Sequence, residues 1–367
     1  MKRGEAPHTI LVVAGIVIII LAAALSFNYP REDFSVYNGQ WNGDSDLRTL
    51  VQNDHPSSVI FGEKDLSGKS SGALLLINPN GNVGFSQDDI SSIRSFVTAG
   101  GLLLTANDFG NANQLLDGLG IGSVVRFNGS LLYDDYYNWA GAALPSISTF
   151  SNSDLTSGIK DLSFNYATVL DVGTLNGTAV GSPAVSIGNV TVLAKSSPVS
   201  YLGGSNVASP ENGTRGKKPV LASLTYGEGK IILLSDPSVF INDMIGRGDN
   251  EQLFKNVVAN LTSGDPQAPV FFDESHRAQE PLFTVAYLRI NSDETLQYVA
   301  VLAALGTFAA VLTAMRINRR KRKGIDVSQL RLTDEAMLSD VAKRHPEWST
   351  TQIRKLLRGT RIGKKKR

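Results

Sequence analysis

The chain has 367 residues and no cysteine, which excludes disulfides, thiolate metal sites and a cysteine nucleophile. Its formal net charge is only +1, yet residues 316–367 carry 17 basic against 5 acidic side chains, and the remainder carries 18 against 29. A chain of this length holds one large domain or two ordinary ones, and the charge split implies two compartments or two kinds of partner.

In chain order, a short N-terminus (1–8) leads into the apolar run "TILVVAGIVIIILAAALSF" (9–27). It has no charge and about the length of a membrane-spanning helix, roughly 20 residues. Ala22 and Ala24 offer an A-x-A cleavage site, but the run exceeds a signal-peptide core of about 7–15 residues, so an uncleaved anchor is expected. Next come "SSVIFG" (57–62) and "ALLLINP" (73–79), apolar runs of strand length. "FSQDDISSIRSFVTAGG" (85–101) predicts a helix: Ser86 and Asp89 have capping-box spacing, Ile90, Ile93 and Val97 share a face, and Gly100 suits the left-handed position after the last turn. "LLLTAND" (102–108) reads as a strand and "NANQLLDGLG" (111–120) as a short helix. This alternation argues for a parallel sheet with helices on its faces.

Residues 121–218 are rich in Gly, Ser, Asn and Thr and read as strands and long loops that extend the sheet. "PVLASLTYGEGKIILLSDPSVF" (219–240) predicts a hairpin turning at Gly227 and Gly229. "DNEQLFKNVVANL" (249–261) predicts a helix capped by Asp249, with Leu253, Phe254, Val257, Val258 and Leu261 on its apolar face. "PVFF" (269–272) is the last strand. A second uncharged run, "LQYVAVLAALGTFAAVLTAM", occupies 296–315. Lys2 and Arg3 precede the first run and "RINRRKRK" (316–323) follows the second, so both termini are expected in the cytoplasm and residues 28–295 outside. Acceptor sequons at Asn128, Asn176, Asn189, Asn212 and Asn260 fall in that same segment and mark a glycoprotein.

The tail (316–367) predicts two short helices. Thr333 caps the first, in which Leu338, Val341 and Ala342 share a face; Ser349 caps the second, with Ile353, Leu356 and Leu357 on its apolar side. Helices this short need a partner. The basic face of Arg354, Lys355, Arg358 and Arg361 points to anionic lipid or a cytosolic protein, and a membrane tether disfavours nucleic acid.

The order "FVTAGGLLLTAND", "YGEGKIILLSDPSVFIND", a helix and "VFFDESH", between two apolar runs, resembles the domain of unknown function numbered 4350 of archaeal and bacterial membrane proteins, over about residues 35–280. That resemblance implies an ectodomain folded like class I glutamine amidotransferases. Their cysteine would fall in "LLLTANDFGN", where none exists, so it implies an accessory part of a membrane complex without glutaminase chemistry. The expected fold class is α/β: a doubly wound, mostly parallel sheet with a β-rich extension, between two transmembrane helices, with a small helical tail.

Four motifs suggest chemistry. "GEKDLSGKS" (62–70) resembles a phosphate loop but has one residue too many between Gly62 and Gly68, and a strand follows where a helix is needed. "GKSSG" (68–72) matches G-x-S-x-G, but its Ser precedes a strand, so a Gly/Ser loop is expected. "VFFDESHR" (270–277) places Asp273, Glu274 and His276 at a strand end, where open α/β sheets bind ligands. Asp108 and Asp236 also follow apolar strands. Convergence of all five would make a site for acid–base work or a cation. The alternative is that these acids cap helices and close turns, with Asp273 paired to Arg277. His276 and His55 are the only histidines in this segment, so neither a metal centre nor a cofactor is expected. "YDDYYNWAG" (133–141) offers Tyr136, Tyr137 and Trp139 for a protein or glycan contact. The expected function is therefore a membrane-anchored binding or assembly module, with a hydrolase or metal-dependent enzyme on Asp273, Glu274 and His276 as the alternative.

Overall fold

A computed structural model of the protein describes residues 32–109, 111–173, 185–203, 214–262, 265–277 and 338–355, with five helical positions between 298 and 313. The chain divides into two compact units, residues 14–294 and residues 1–13 with 295–367.

An eight-stranded sheet forms the larger unit. Its strands are β1 (Ser57–Ile60), β2 (Ala73–Ile77), β3 (Leu102–Ala106), β4 (Thr149–Phe150), β5 (Thr191–Lys195), β6 (Pro219–Tyr226), β7 (Gly229–Leu234) and β8 (Val270–Asp273). In space the order is β1-β8-β2-β3-β7-β6-β5-β4. Strands β1, β8, β2, β3 and β7 run parallel. Beyond β7, strands β6, β5 and β4 each run antiparallel to their neighbours. The sheet is thus mixed, which corrects the expectation of a mostly parallel one. The cause is local: a two-residue turn joins β6 to β7, and only antiparallel strands can be joined so tightly. Gly227 has φ +60, and a Cβ there would lie 2.8 Å from Thr98 Cα, so the turn requires glycine on both counts.

Alternation along the strands builds two cores. Leu74, Leu76, Leu103, Ile231, Leu233 and Phe271 face one side. Ala73, Leu75, Leu104, Ile232, Leu234 and Phe272 face the other. The first side is covered by α2 (Gln87–Thr98), through Ile90, Ile93, Phe96 and Val97, and by α3 (Asn113–Leu119), through Leu115, Leu116 and Leu119. The second is covered by α1 (Ser45–Asp54), through Leu47 and Val51, and by α4 (Asn250–Leu261), through Leu253, Phe254, Val257 and Val258. The Ser86–Asp89 capping box is present in full. Ser86→Ala should therefore cost about 1 kcal/mol in a denaturation experiment; an unchanged midpoint would mean the cap is redundant. Asp249, by contrast, makes no side-chain cap. Its carboxylate instead accepts from the backbone N–H groups of Lys160 and Asp161, at 2.7 and 3.1 Å.

Only part of the 121–218 region extends the sheet. Three separate two-stranded ribbons also form, Val125–Phe127 with Leu170–Val172, Leu131–Tyr133 with Tyr201–Gly203, and Ser146–Ile147 with Leu162–Ser163.

The two-pass membrane topology must be corrected. Among the described residues no helix is long and apolar enough to cross a membrane. The runs 9–27 and 296–315 lie outside the described residues, apart from Tyr298, Val299, Leu302, Gly306 and Thr313, which are helical. The fold class is therefore an α/β domain with a mixed sheet. Transmembrane helices, an extracytoplasmic placement of 28–295 and cytoplasmic termini have no support in it.

In the second unit, residues 338–344 and 350–355 are helical. Ser349 caps as expected: its Oγ accepts from Gln352 N at 3.3 Å, and its own N–H donates to Gln352 Oε1 at 3.0 Å. Thr333, Leu356, Leu357, Arg358 and Arg361 lie outside the described residues.

Candidate functional site

The four acids and one histidine singled out at strand ends do not form one site. Asp273 ends β8 and Glu274 follows it, its N–H still bonded to Ile60 O of β1 at 2.8 Å, and successive side chains along such a strand point to opposite faces. Phe271 and Phe272 already show this split. Asp273 therefore joins the α2 side and Glu274 the α1 side.

On the α2 side, Asp273 pairs with His276 Nδ1 at 2.9 Å, and His276 Nε2 lies 3.5 Å from Asp89. Asp89 is the capping-box acid of α2, so His276 ties the end of β8 to the start of that helix. The imidazole stacks on Phe85, centroids 4.0 Å apart. Burial disfavours its charge, but Asp273 and Asp89 outweigh burial and raise its pKa above 6.5. Burial also pushes Asp273 upward, but His276, Ser275 and Arg277 together bring it below 3.8.

On the α1 side, Glu274 accepts from Val36 N at 2.8 Å and from Ser35 Oγ at 2.9 Å. Arg277, expected to pair with Asp273, instead lies 3.9 Å from Glu274. Its guanidinium donates to two backbone carbonyls, Asn78 O at 3.0 Å and Phe34 O at 2.8 Å. Burial pushes Glu274 up to about 7, although Arg277 opposes the shift. Beside them Asp44 is fully buried, and neither of its carboxylate oxygens has a hydrogen-bond partner. Burial raises it well above 3.8, Arg277 opposes and Glu274 adds to the rise. Asp44 was not marked by the sequence, where it reads as an ordinary residue before a helix.

Asp108 and Asp236 do come together. The register pairs Leu234 with Ala106, so two residues on, the acids sit at one level on adjacent parallel strands and on the same face. Here the chain leaves β3 toward α3 and leaves β7 toward α4, on opposite faces, which makes this the topological switch point of the sheet. The crevice is covered. Asp236 accepts from Asn165 N at 2.6 Å and Ser238 N at 2.8 Å, and Thr168 N donates to Ser235 O at 3.0 Å. Burial raises Asp236 well above 3.8, with Asp108 adding to it, and burial pushes Asp108 up to about 6. Among the described residues no group of three or more acids and histidines could hold a metal ion.

The phosphate-loop look-alike runs from a 3-10 turn, Glu63–Leu66, directly into β2, with no helix start at Gly68. Of the sequons, Asn128 and Asn189 are exposed, while Asn260 is half-buried in α4 and accepts from Lys230 Nζ at 2.8 Å. Asn176 and Asn212 lie outside the described residues.

The aromatic loop is ordered by a buried acid. Asp134 accepts from the backbone N–H groups of Tyr136 and Tyr137, at 3.0 and 2.8 Å, and from Ser197 Oγ. Trp139 is half-buried, donates from Nε1 to Phe164 O at 2.8 Å, and carries Arg247 4.7 Å above its ring. Tyr136 and Tyr137 stay 76% and 53% exposed.

No curated protein matches the chain. Among solved structures it is similar to the mmIFT52 N-terminal domain (17% identity, TM-score 0.45, 65% of this chain and 96% of that one). It is also similar to Gan42B, a GH42 beta-galactosidase from G. (14% identity, TM-score 0.30, 63% of this chain and 27% of that one). Residues 36–258 match the family described as domain of unknown function (DUF4350), and the chain belongs to that family.

Proposed function

We propose that the α/β domain is a non-catalytic binding module whose recognition element is the loop Tyr133–Gly141. One observation carries this reading: Tyr136 and Tyr137 are exposed while their backbone is held by the buried Asp134. Exposed aromatics on a pre-ordered loop give contact area without an ordering cost. The fate of the acids supports it: Asp236 and Glu274 tie distant segments together, Asp273 holds His276 against the start of α2, and Asp108 is buried and bonds the N–H of Phe109. An amidotransferase-like layout without its nucleophile is part of the proposal: β3 runs into Asn107, whose amide bonds Asn78 Oδ1 at 3.0 Å. The hydrolase alternative draws on the raised pKa values of Asp108 and Glu274, but it needs Asp273, Glu274 and His276 around one reacting atom, and strand alternation puts Glu274 on the face opposite the Asp273–His276 pair.

Tyrosines at binding hot spots each contribute about 2 kcal/mol or more. Tyr136→Ala/Tyr137→Ala in the full chain should abolish capture of the proteins that the wild type retains from its own cell extract. Its melting temperature should not move, because exposed substitutions cost within about 0.5 kcal/mol. Recovery of the same proteins by the variant would overturn the reading.

A further inference from the structure

A concave site lined by no residue of the tyrosine loop opens beyond the carboxyl ends of β8, β2 and β3. It has a volume of about 460 Å³, within the range of small-molecule sites, about 300–1,000 Å³. Asn78, one residue past β2, Asn80 and Asn82 line it together with Asn111, which follows β3. Glu32 and Asp33 stand on another wall, and Phe34, Pro79 and Arg277 complete it.

The walls are held by an over-determined arrangement. Phe34 and Asn78 both adopt positive φ, 63° and 44°, which non-glycine residues seldom do. Arg277 donates a hydrogen bond to the carbonyl of each, at 2.8 and 3.0 Å, and so locks both conformations. Asn80 is anchored through its N–H to His276 O at 2.8 Å, and its Oδ1 accepts from Asn82 N at 2.9 Å. At Gly81 a Cβ would lie 2.6 Å from Asn111 Oδ1, so glycine is what lets Asn111 approach this turn. Strain held in place by surrounding structure is a mark of ligand sites.

The lining decides the ligand class. Arg277 is the only cation among the lining residues; Glu274 lies 3.9 Å from it, and two carboxylates share the walls, so an anion is disfavoured. Only Phe34 and Pro79 are apolar, so an apolar ligand is disfavoured too. The Oδ1 atoms of Asn78 and Asn80 are taken by Asn107 and Asn82 N, so the amides of Asn82 and Asn111 are the ones that offer a donor and an acceptor side by side. Vicinal hydroxyls on a ring need that pairing, and a ring's C–H face needs a small apolar wall. We propose that this pocket binds a neutral carbohydrate unit.

The test is saturation-transfer NMR on the full chain with methyl glycosides of neutral hexoses and N-acetylhexosamines, and with inorganic phosphate as the anionic probe. Saturable binding of a neutral glycoside is expected. It should weaken at least tenfold in Asn82→Ala/Asn111→Ala, at an unchanged melting temperature, and persist in Tyr136→Ala/Tyr137→Ala. Failure of every glycoside to bind, binding that survives the asparagine substitutions, or displacement of the glycoside by phosphate would each overturn the proposal.

Discussion

Arg277→Met is expected to lower the unfolding free energy by about 3–5 kcal/mol, as removal of one partner from a buried charge group does. The guanidinium is 7% exposed and is the cation facing both Glu274 and Asp44. It also satisfies the carbonyls of Phe34 and Asn78, whose backbones are strained. Methionine keeps most of the volume but leaves two carbonyls unbonded and, above the pH at which Glu274 and Asp44 ionise, two acids uncompensated. At about pH 8, above the raised Glu274 value, adding Asp44→Asn and Glu274→Gln to Arg277→Met should restore much of the loss, because the uncompensated charge is then gone. Arg277→Lys should fall between, since an ammonium keeps the charge but not the planar fork that reaches both carbonyls. Urea denaturation of the full chain measures all of these. A loss below about 1 kcal/mol for Arg277→Met would mean that the cluster contributes no more than an exposed pair.

Stability should be greatest in mildly acidic solution and fall as the pH rises toward 8. Glu274 titrates near 7 in the folded protein against 4.5 in a free chain. Between those values the folded state holds a proton that the unfolded chain has released, so stability decreases with rising pH. A shift of that size corresponds to about 3 kcal/mol. Asp108, pushed up to about 6, and Asp44 and Asp236, both raised well above 3.8 by burial, act in the same direction. So does His276: its pairing with Asp273 and Asp89 contributes fully below pH 6.5 and is lost as the pH climbs through its raised folded value. Asp273 works the other way, contributing above pH 3.8 and losing that contribution only as the pH falls through its lowered folded value. Thermal melts should therefore show a higher Tm at about pH 5 than at about pH 8, and Glu274→Gln should flatten part of the slope. A Tm that rises steadily from pH 5 to 8 would contradict the burial of these acids.

Local physics was legible in the sequence. The Ser86–Asp89 box, the helix faces of Ile90 and Ile93 or of Leu253 and Val257, the Gly227 turn and the Ser349 cap all depend on residues within a few positions of one another. Strand spacing was legible for the same reason. Where those strands lie was not. The return of β8 to a place between β1 and β2, and the antiparallel run β6-β5-β4, depend on pairings between distant segments. The apolar runs 9–27 and 296–315 invited a membrane reading from hydropathy alone, and the described helices give it no support.

The acids show the division most sharply. "DESHR" announces a site because five polar residues crowd one strand end. Alternation along that strand then sends Asp273 and Glu274 to opposite faces: Asp273 keeps its near neighbours Ser275 and His276, while Glu274 finds partners its neighbours cannot supply. Arg277 bonds carbonyls 199 and 243 positions away, and Glu274 bonds Ser35 across 239. The sequence by itself determined which groups are chemically capable and how each element begins and ends, because those properties are short-range. Only the tertiary structure decided which capable groups share a space, because a buried charge takes its partner from whatever the packing brings beside it.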